Sequence, residues 1–165
     1  MRTRRLEAHE SSLLRELRLG ALRDAPNSFR DTYSDIAARP ASYWDDFTRS
    51  VTQADRNVMF LAFEEDKPVG SVFGLVDRVQ SSRTGGVGGM WVDPMWRRRG
   101  IGEALLQEVL DWARRRGFER LRLWCVADSP GPASLYRKLG FRETGNRQPL
   151  SPGSTVQVAE MMLLL

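Results

Sequence analysis

The stretch from residue 88 to 117 restricts the fold of this chain more than any other. Gly88 to Val92 reads as a strand, closed by Asp93-Pro94. From residue 101 the period changes: Ile101, Leu105, Val109 and Trp112 or Ala113 recur at the spacing of one helical face. Arg114-Arg115-Arg116-Gly117 ends that run with cations in the last turn and Gly at C′. Between strand and helix lies Arg97-Arg98-Arg99-Gly100-Ile101-Gly102. A helix N-terminus exposes unpaired N–H groups and carries about half a positive charge, so three arginines beside it add like charge to like. The arrangement becomes favourable when a multiply charged anion sits there and N–H and guanidinium groups converge on it. Gly100 and Gly102 remove side chains where the backbone must come close to phosphate.

The remaining pattern organises around this junction. Thr3 to Ala8 reads as a short strand. Leu13, Leu17 and Ala21 share a helical face, and Asp24-Ala25-Pro26-Asn27 stops that helix. A second helix starts near Pro40, with Tyr43, Phe47 and Val51 on one face and Trp44 beside them. Asn57–Phe63 and Val69–Val76 read as strands joined by the turn 64–68, and the polar stretch Asp77–Gly86 reads as a loop. Leu121–Val126 is a strand, and Ala133–Leu139 a short helix stopped by Gly140. Phe141–Thr144 and Val156–Leu165 are closing strands. Strands and helices without strict alternation give an α+β fold with a mixed, mostly antiparallel sheet. With no repeat, low-complexity tract or linker, residues 1–165 are expected to form a single domain.

Composition narrows the class of function. Lys plus Arg number 25 against 21 Asp plus Glu, a net charge of +4 that suits an anionic ligand as well as nucleic acid. The two arginine clusters sit at opposite ends of one helix, about 22 Å apart at 1.5 Å per residue. They form no continuous stripe, and no nucleic-acid-reading motif accompanies them, so no nucleic-acid partner is expected. The lone Cys125 sits in an apolar strand and reads as core. His9 reads as a surface or capping residue, and no cluster has metal-ligand spacing, so no metal is expected. No apolar stretch is long enough for a membrane span or signal core, which makes a cytoplasmic location with no membrane partner the default.

Arg97-x-x-Gly100-x-Gly102, after a strand and opening a helix, resembles the acetyl-CoA signature of the GCN5-related N-acetyltransferases: Gln or Arg, two residues, Gly, one residue, then Gly or Ala. Leu135-Tyr136-Arg137-Lys138-Leu139-Gly140-Phe141 with Gly145 is similar to that family's second signature. Leu19–Phe29 looks like the opening of many bacterial members, and Met90–Pro94 like the strand before the signature.

The resemblance implies a sheet of about seven strands with helices on both faces and a V-shaped opening after Met90–Val92. It implies acetyl-CoA as cosubstrate, with backbone contacts from Met90, Trp91 and Val92. Phosphate contacts would come from Arg97, Arg98, Arg99, Gly100, Ile101, Gly102, Glu103 and Ala104, and a pantetheine contact from Ser129. Tyr136 would be the acid that protonates the departing thiolate. The reaction implied is acetyl transfer to a primary amine of a small molecule, amino-acid derivative or peptide, by direct attack on the thioester. The resemblance also allows a homodimer.

Many members carry a Glu on the strand before the signature, acting as base through water. Here Val87, Gly88 and Gly89 stand instead, leaving Glu64 and Asp77 as candidates from neighbouring strands and a non-catalytic acyl-CoA-binding module as the alternative function. Ser129 stands where the family usually has Asn. Tyr43, Trp44 and Phe47 are candidates for the acceptor pocket.

Overall fold

In a computed structural model, which describes residues 1–53, 56–76 and 83–165, the chain runs β1 (Arg2–Arg5), α1 (Ser11–Asp24), α2 (Tyr33–Ala37), α3 (Ala41–Thr52), β2 (Val58–Glu64) and β3 (Lys67–Val76). It continues through β4 (Thr84–Val92), a 3₁₀ turn (Pro94–Trp96), α4 (Ile101–Arg115), β5 (Arg120–Val126), α5 (Pro130–Lys138), β6 (Arg142–Pro149) and β7 (Gln157–Leu164). The strands form one seven-stranded sheet in the order β1-β2-β3-β4-β5-β7-β6. Only β4 and β5 pair in parallel; the other neighbours are antiparallel.

The apolar run of β2 is explained by cover on both faces. Val58, Phe60 and Ala62 point into a core shared with Leu105, Val109 and Trp112 of α4. Met59, Leu61 and Phe63 point the other way, toward Leu14, Leu17 and Leu22 of α1 and Trp44 and Val51 of α3. Period-two alternation therefore divides one strand between two cores. The helical face read at Ile101, Leu105, Val109 and Ala113 is the buried face of α4.

Four local features differ from the sequence reading. Thr84–Gly86 is strand rather than loop, pairing with Arg120–Arg122; Asp77 and residues 78–82 lie outside the described residues. Helix α2 was not expected, although Thr32 caps it by accepting from the Asp35 N–H at 3.2 Å, a short-range N-terminal signal visible in Thr32-Tyr33-Ser34-Asp35. Helix α5 starts at Pro130 rather than Ala133, because the proline-rich run supplies its first turn.

Strand β6 extends to Pro149 although Arg142–Pro149 has no hydrophobic alternation and every residue in it is exposed. Its register slips between Glu143 and Arg147. There Thr144 Oγ1 (2.6 Å) and Asn146 Nδ2 (2.7 Å) donate to the buried Glu160 of β7. Arg122 of β5 reaches the same carboxylate at 3.4 Å. A polar clamp, not apolar burial, thus fixes the outer strand.

Burial alone would push the Glu160 carboxyl up, but the bonds from Thr144, Asn146 and Arg122 outweigh it and hold it below the ordinary glutamate range. A carboxyl depressed in the folded state contributes stability that is present at neutral pH and is lost as pH falls through its folded value. Glu160→Gln should therefore cost about 2 kcal/mol at pH 7 in urea unfolding, the order expected for hydrogen bonds to a charged group. The difference from wild type should shrink on acidification; a constant difference down to strongly acid pH would contradict this role for the clamp.

Candidate active site

The site begins where two strands part. β4 pairs with β5 only at Thr84–Arg120, Gly85–Leu121 and Gly86–Arg122; beyond Gly86 they diverge. Val87–Val92 and Leu123–Val126 then form facing walls of a cleft of about 1050 Å³. Its other walls are the start of α4, the start of α5 with Leu135 and Tyr136, and Ala25, Ser28 and Phe29 after α1.

Backbone direction along β4 follows from its ladder with β3. Asp93 N–H donates to Val69 O at 2.9 Å, and Trp91 pairs with Ser71. By antiparallel alternation the N–H and C=O of Val92, between them, point away from β3 into the split. An open strand edge in a cleft is a template for an extended amide-bearing ligand.

Gly89 lies in the bulge where the β3–β4 register shifts, within the diverging stretch. Its φ is +56°, and a Cβ there would lie 2.3 Å from the Phe73 ring. Phe73 in turn stacks on Phe47 at 5.5 Å. A side chain cannot occupy position 89 without displacing that pair.

At the far end of the cleft Gly100 adopts φ +81° as N-cap of α4, with nothing within 4 Å of a hypothetical Cβ. Its glycine is required by conformation rather than by space. No side chain caps the helix. Ala104 N–H donates to Gly100 O, which leaves the N–H groups of Ile101, Gly102 and Glu103 as those a first turn cannot satisfy internally. Gly102 serves a second purpose: its Cβ would lie 3.1 Å from Leu135 Cδ2, so it sets the close approach of α4 to α5.

The candidate residues separate by role. Met90, Val92, Arg97, Arg98, Gly100, Ile101, Gly102, Glu103, Ser129 and Tyr136 all line the cleft. Arg97 is engaged already: its Nε donates to Val92 O at 3.0 Å, and its guanidinium pairs with Asp24 at the end of α1. Arg99 lies over the Trp96 ring at 4.7 Å. Trp91 also borders the cleft, but its backbone faces β3 and its indole N–H donates to Asp24 at 2.9 Å. Ala104 falls outside the cleft wall, with its N–H used inside the helix.

Glu64, proposed as a base, pairs with the N-terminal amine at 3.2 Å away from the cleft. Asp77 lies outside the described residues. Trp44 is buried in the core between the sheet and α1–α3, Tyr43 and Phe47 pack partly buried against it, and none of the three lies on the cleft wall. Asp24 and Phe73 were missed by sequence reading. Asp24 carried a signal only as a helix stop, and Phe73 none that pattern could distinguish from core.

Tyr136 is almost wholly buried and packs edge-on against Phe141 at 6.0 Å. Burial, with Cys125 close by, pushes its phenol well above the ordinary tyrosine range, so it stays protonated at neutral pH. Burial likewise pushes the Cys125 thiol up, consistent with its packing in the core. The cleft thus combines an open strand edge, an uncapped helix N-terminus flanked by arginines, and one buried neutral phenol.

Comparison with known proteins places this arrangement. The model of the acetyltransferase (GNAT) family matches residues 21–141. An uncharacterized N-acetyltransferase of Methanocaldococcus jannaschii is 30% identical over 92 residues, 54% of this chain and 41% of that protein. The ribosomal protein bS18-alanine N-acetyltransferase of Escherichia coli is 29% identical over 109 residues, 66% of this chain and 71% of that one. Among solved structures, an acetyltransferase of Salmonella typhimurium described with its cofactor acetyl-CoA aligns with TM-score 0.81 at 18% identity, covering 100% of this chain and 94% of that one. With a family match over most of its length and the same split sheet, the chain belongs to the acetyltransferase (GNAT) family.

Proposed function

We propose that the chain is an acetyl-CoA-dependent N-acetyltransferase that transfers an acetyl group to a primary amine by direct attack on the thioester. The observation that carries this reading is the split between β4 and β5 with Val92 N–H directed into it. A thioester carbonyl at that N–H would gain a preorganised donor where negative charge develops on attack. The pantetheine arm would pair with the open edge of β4, as an added strand does. The first-turn N–H groups of Ile101, Gly102 and Glu103, with Arg98 and Arg99, would hold the pyrophosphate. The donor set fits the ligand: the orphan N–H groups are uncapped, and the space at Gly100 is open.

Tyr136 supplies the acid. A phenol raised by burial is a weak acid toward a solvated thiolate, whose conjugate thiol lies near 8.5. A thiolate born in the same dry cleft is raised by the same desolvation, which narrows the gap and lets the phenol donate as the C–S bond breaks. This favours turnover over a module that only binds acyl-CoA. Arg97 acts mainly in positioning, because it ties the end of β4 to α1 through Asp24. No helix among the described residues is long and apolar enough to cross a membrane, and a cytoplasmic setting accords with the reading.

Two outcomes test these roles. Tyr136→Phe should lower kcat by roughly 10²-fold, within the range for general acid catalysis, with the Kd for CoA from calorimetry nearly unchanged; an unaltered kcat would remove the assignment. Gly102→Val should force Leu135 and α5 away and weaken CoA binding by about tenfold, or ~1.4 kcal/mol. Retained affinity would place the phosphate grip elsewhere.

A further inference from the structure

Asp24 stands where a helix gives a carboxylate no support. It is the last residue of α1, at the negative end of the helix dipole, which disfavours an anion. Its Oδ2 nevertheless accepts two hydrogen bonds from the far side of the sequence, one from the Trp91 indole N–H at 2.9 Å and one from the Arg97 guanidinium. Helix α1 meets Trp91 again one turn earlier, since a Cβ built on Gly20 would lie 3.5 Å from the indole Cη2. The Arg97 and Asp24 side chains remain 47% and 21% exposed, and an ion pair in that setting adds little to stability. What the carboxylate does impose is position.

Both bonds bear on one peptide group. The Val92 N–H belongs to the planar unit that joins Trp91 to Val92, and the carbonyl of that unit is Trp91 O. The carbonyl faces β3, where Trp91 is in register with Ser71, so the N–H opposite it faces the split. Trp91, before the plane, is held by its indole at Asp24 and by its ring over Gly20. Val92, after the plane, is held by its carbonyl, which accepts from Arg97 Nε at 3.0 Å while the same guanidinium pairs with Asp24. Beyond Gly86 no ladder to β5 fixes β4 from the split side. One carboxylate therefore restrains the plane from both of its ends.

We infer that Asp24 is a positioning residue for the transfer: through Trp91 and Arg97 it fixes the direction of the Val92 N–H that meets the thioester carbonyl. The inference rests on the acetyl-transfer reading above. In this role Asp24 touches neither the acetyl group nor the amine and moves no proton. Negative charge grows on the carbonyl oxygen only as the amine attacks, and a donor stabilises it most when already aimed at that position. A donor that has turned away therefore costs rate more than binding. In the same reading CoA affinity comes mainly from the first turn of α4, and losing an anion near the phosphate loop does not weaken it.

The test compares full-chain Asp24→Ala, Asp24→Asn and Trp91→Phe with wild type, using acetyl-CoA and the fastest of three probe amines: alanylalanine amide, Nα-acetyllysine amide and benzylamine. Asp24→Ala should lower kcat by roughly 30-fold, less than the loss of about 10²–10³ on removing a whole oxyanion donor, with the calorimetric Kd for CoA within about twofold of wild type. Asp24→Asn, which keeps one acceptor oxygen, should recover part of the loss. Trp91→Phe should cost less than Asp24→Ala and add little to it in the double variant, because both act through one carboxylate. An unchanged kcat, a CoA affinity that falls in step with kcat, or additive losses would overturn the inference. So would loss of the acid limb of the kcat–pH profile in Asp24→Asn, which would make Asp24 a base. Amide NMR of the CoA-bound Asp24→Asn chain reads position without turnover: Val92 should shift while Ile101 and Gly102 stay in place, and an unmoved Val92 would overturn the inference. Wild type that acetylates none of the three amines counts against the acetyl-transfer reading alone, and the Val92 resonance still decides whether Asp24 positions that N–H.

Discussion

The parting of β4 from β5 after the Gly86–Arg122 pair is the constraint on which the rest of the molecule depends. A parallel pair whose hydrogen bonds continued to Val92 would satisfy its backbone internally and leave nothing for a ligand. Because the pair stops, Val92 turns its N–H and C=O to the cleft side; Arg97 takes the carbonyl, and the N–H faces the cleft. Within the parted stretch β4 bulges at Gly89, where only a residue tolerant of φ +56° and without a Cβ fits beside Phe73. It is held open from behind by α4, whose apolar face fills the core under β2, β3 and β5.

Arg97 and Asp24 connect this split to the opposite face of the sheet. The guanidinium satisfies the Val92 carbonyl and pairs with Asp24, and the same carboxylate accepts the Trp91 indole. Helix α1, the end of β4 and the phosphate-facing loop are thereby joined at one carboxylate. The first arginine of the cluster is thus engaged within the fold, and in the proposed reading the first-turn N–H groups of α4 with Arg98 and Arg99 would hold the anion.

The sequence made the site's donor half readable and concealed the acceptor half, for identifiable reasons. The strand, the Arg-Gly spacing and the amphipathic helix from Ile101 are local patterns with a period, so they survive without knowledge of the fold. Tyr136 is proposed in the same way, through its place before Gly140-Phe141. The start of β4 at Thr84 was missed because Thr84-Gly85-Gly86 has turn composition. The small residues are needed there: a Cβ on Gly85 would lie 2.8 Å from both Leu121 and Phe118. β6 was read short because its hold on β7 is the polar clamp at Glu160, which leaves no hydrophobic alternation. The resemblance offers Tyr43 and Phe47 for the acceptor pocket, but a helical face seen in sequence does not say which neighbour covers it. Here it is Phe73 and the α1–α3 core.

Backbone amide mapping by NMR during titration with CoA tests the central claim most directly, since the claimed contacts are to N–H groups. The account predicts the largest shifts at Met90 and Val92 on the open edge of β4 and at Ile101, Gly102 and Glu103 at the start of α4. Amides of β1, which contributes no residue to the cleft wall, should stay in place. Perturbations concentrated on the Arg114–Arg116 end of α4, with Val92 and Gly102 unmoved, would contradict it.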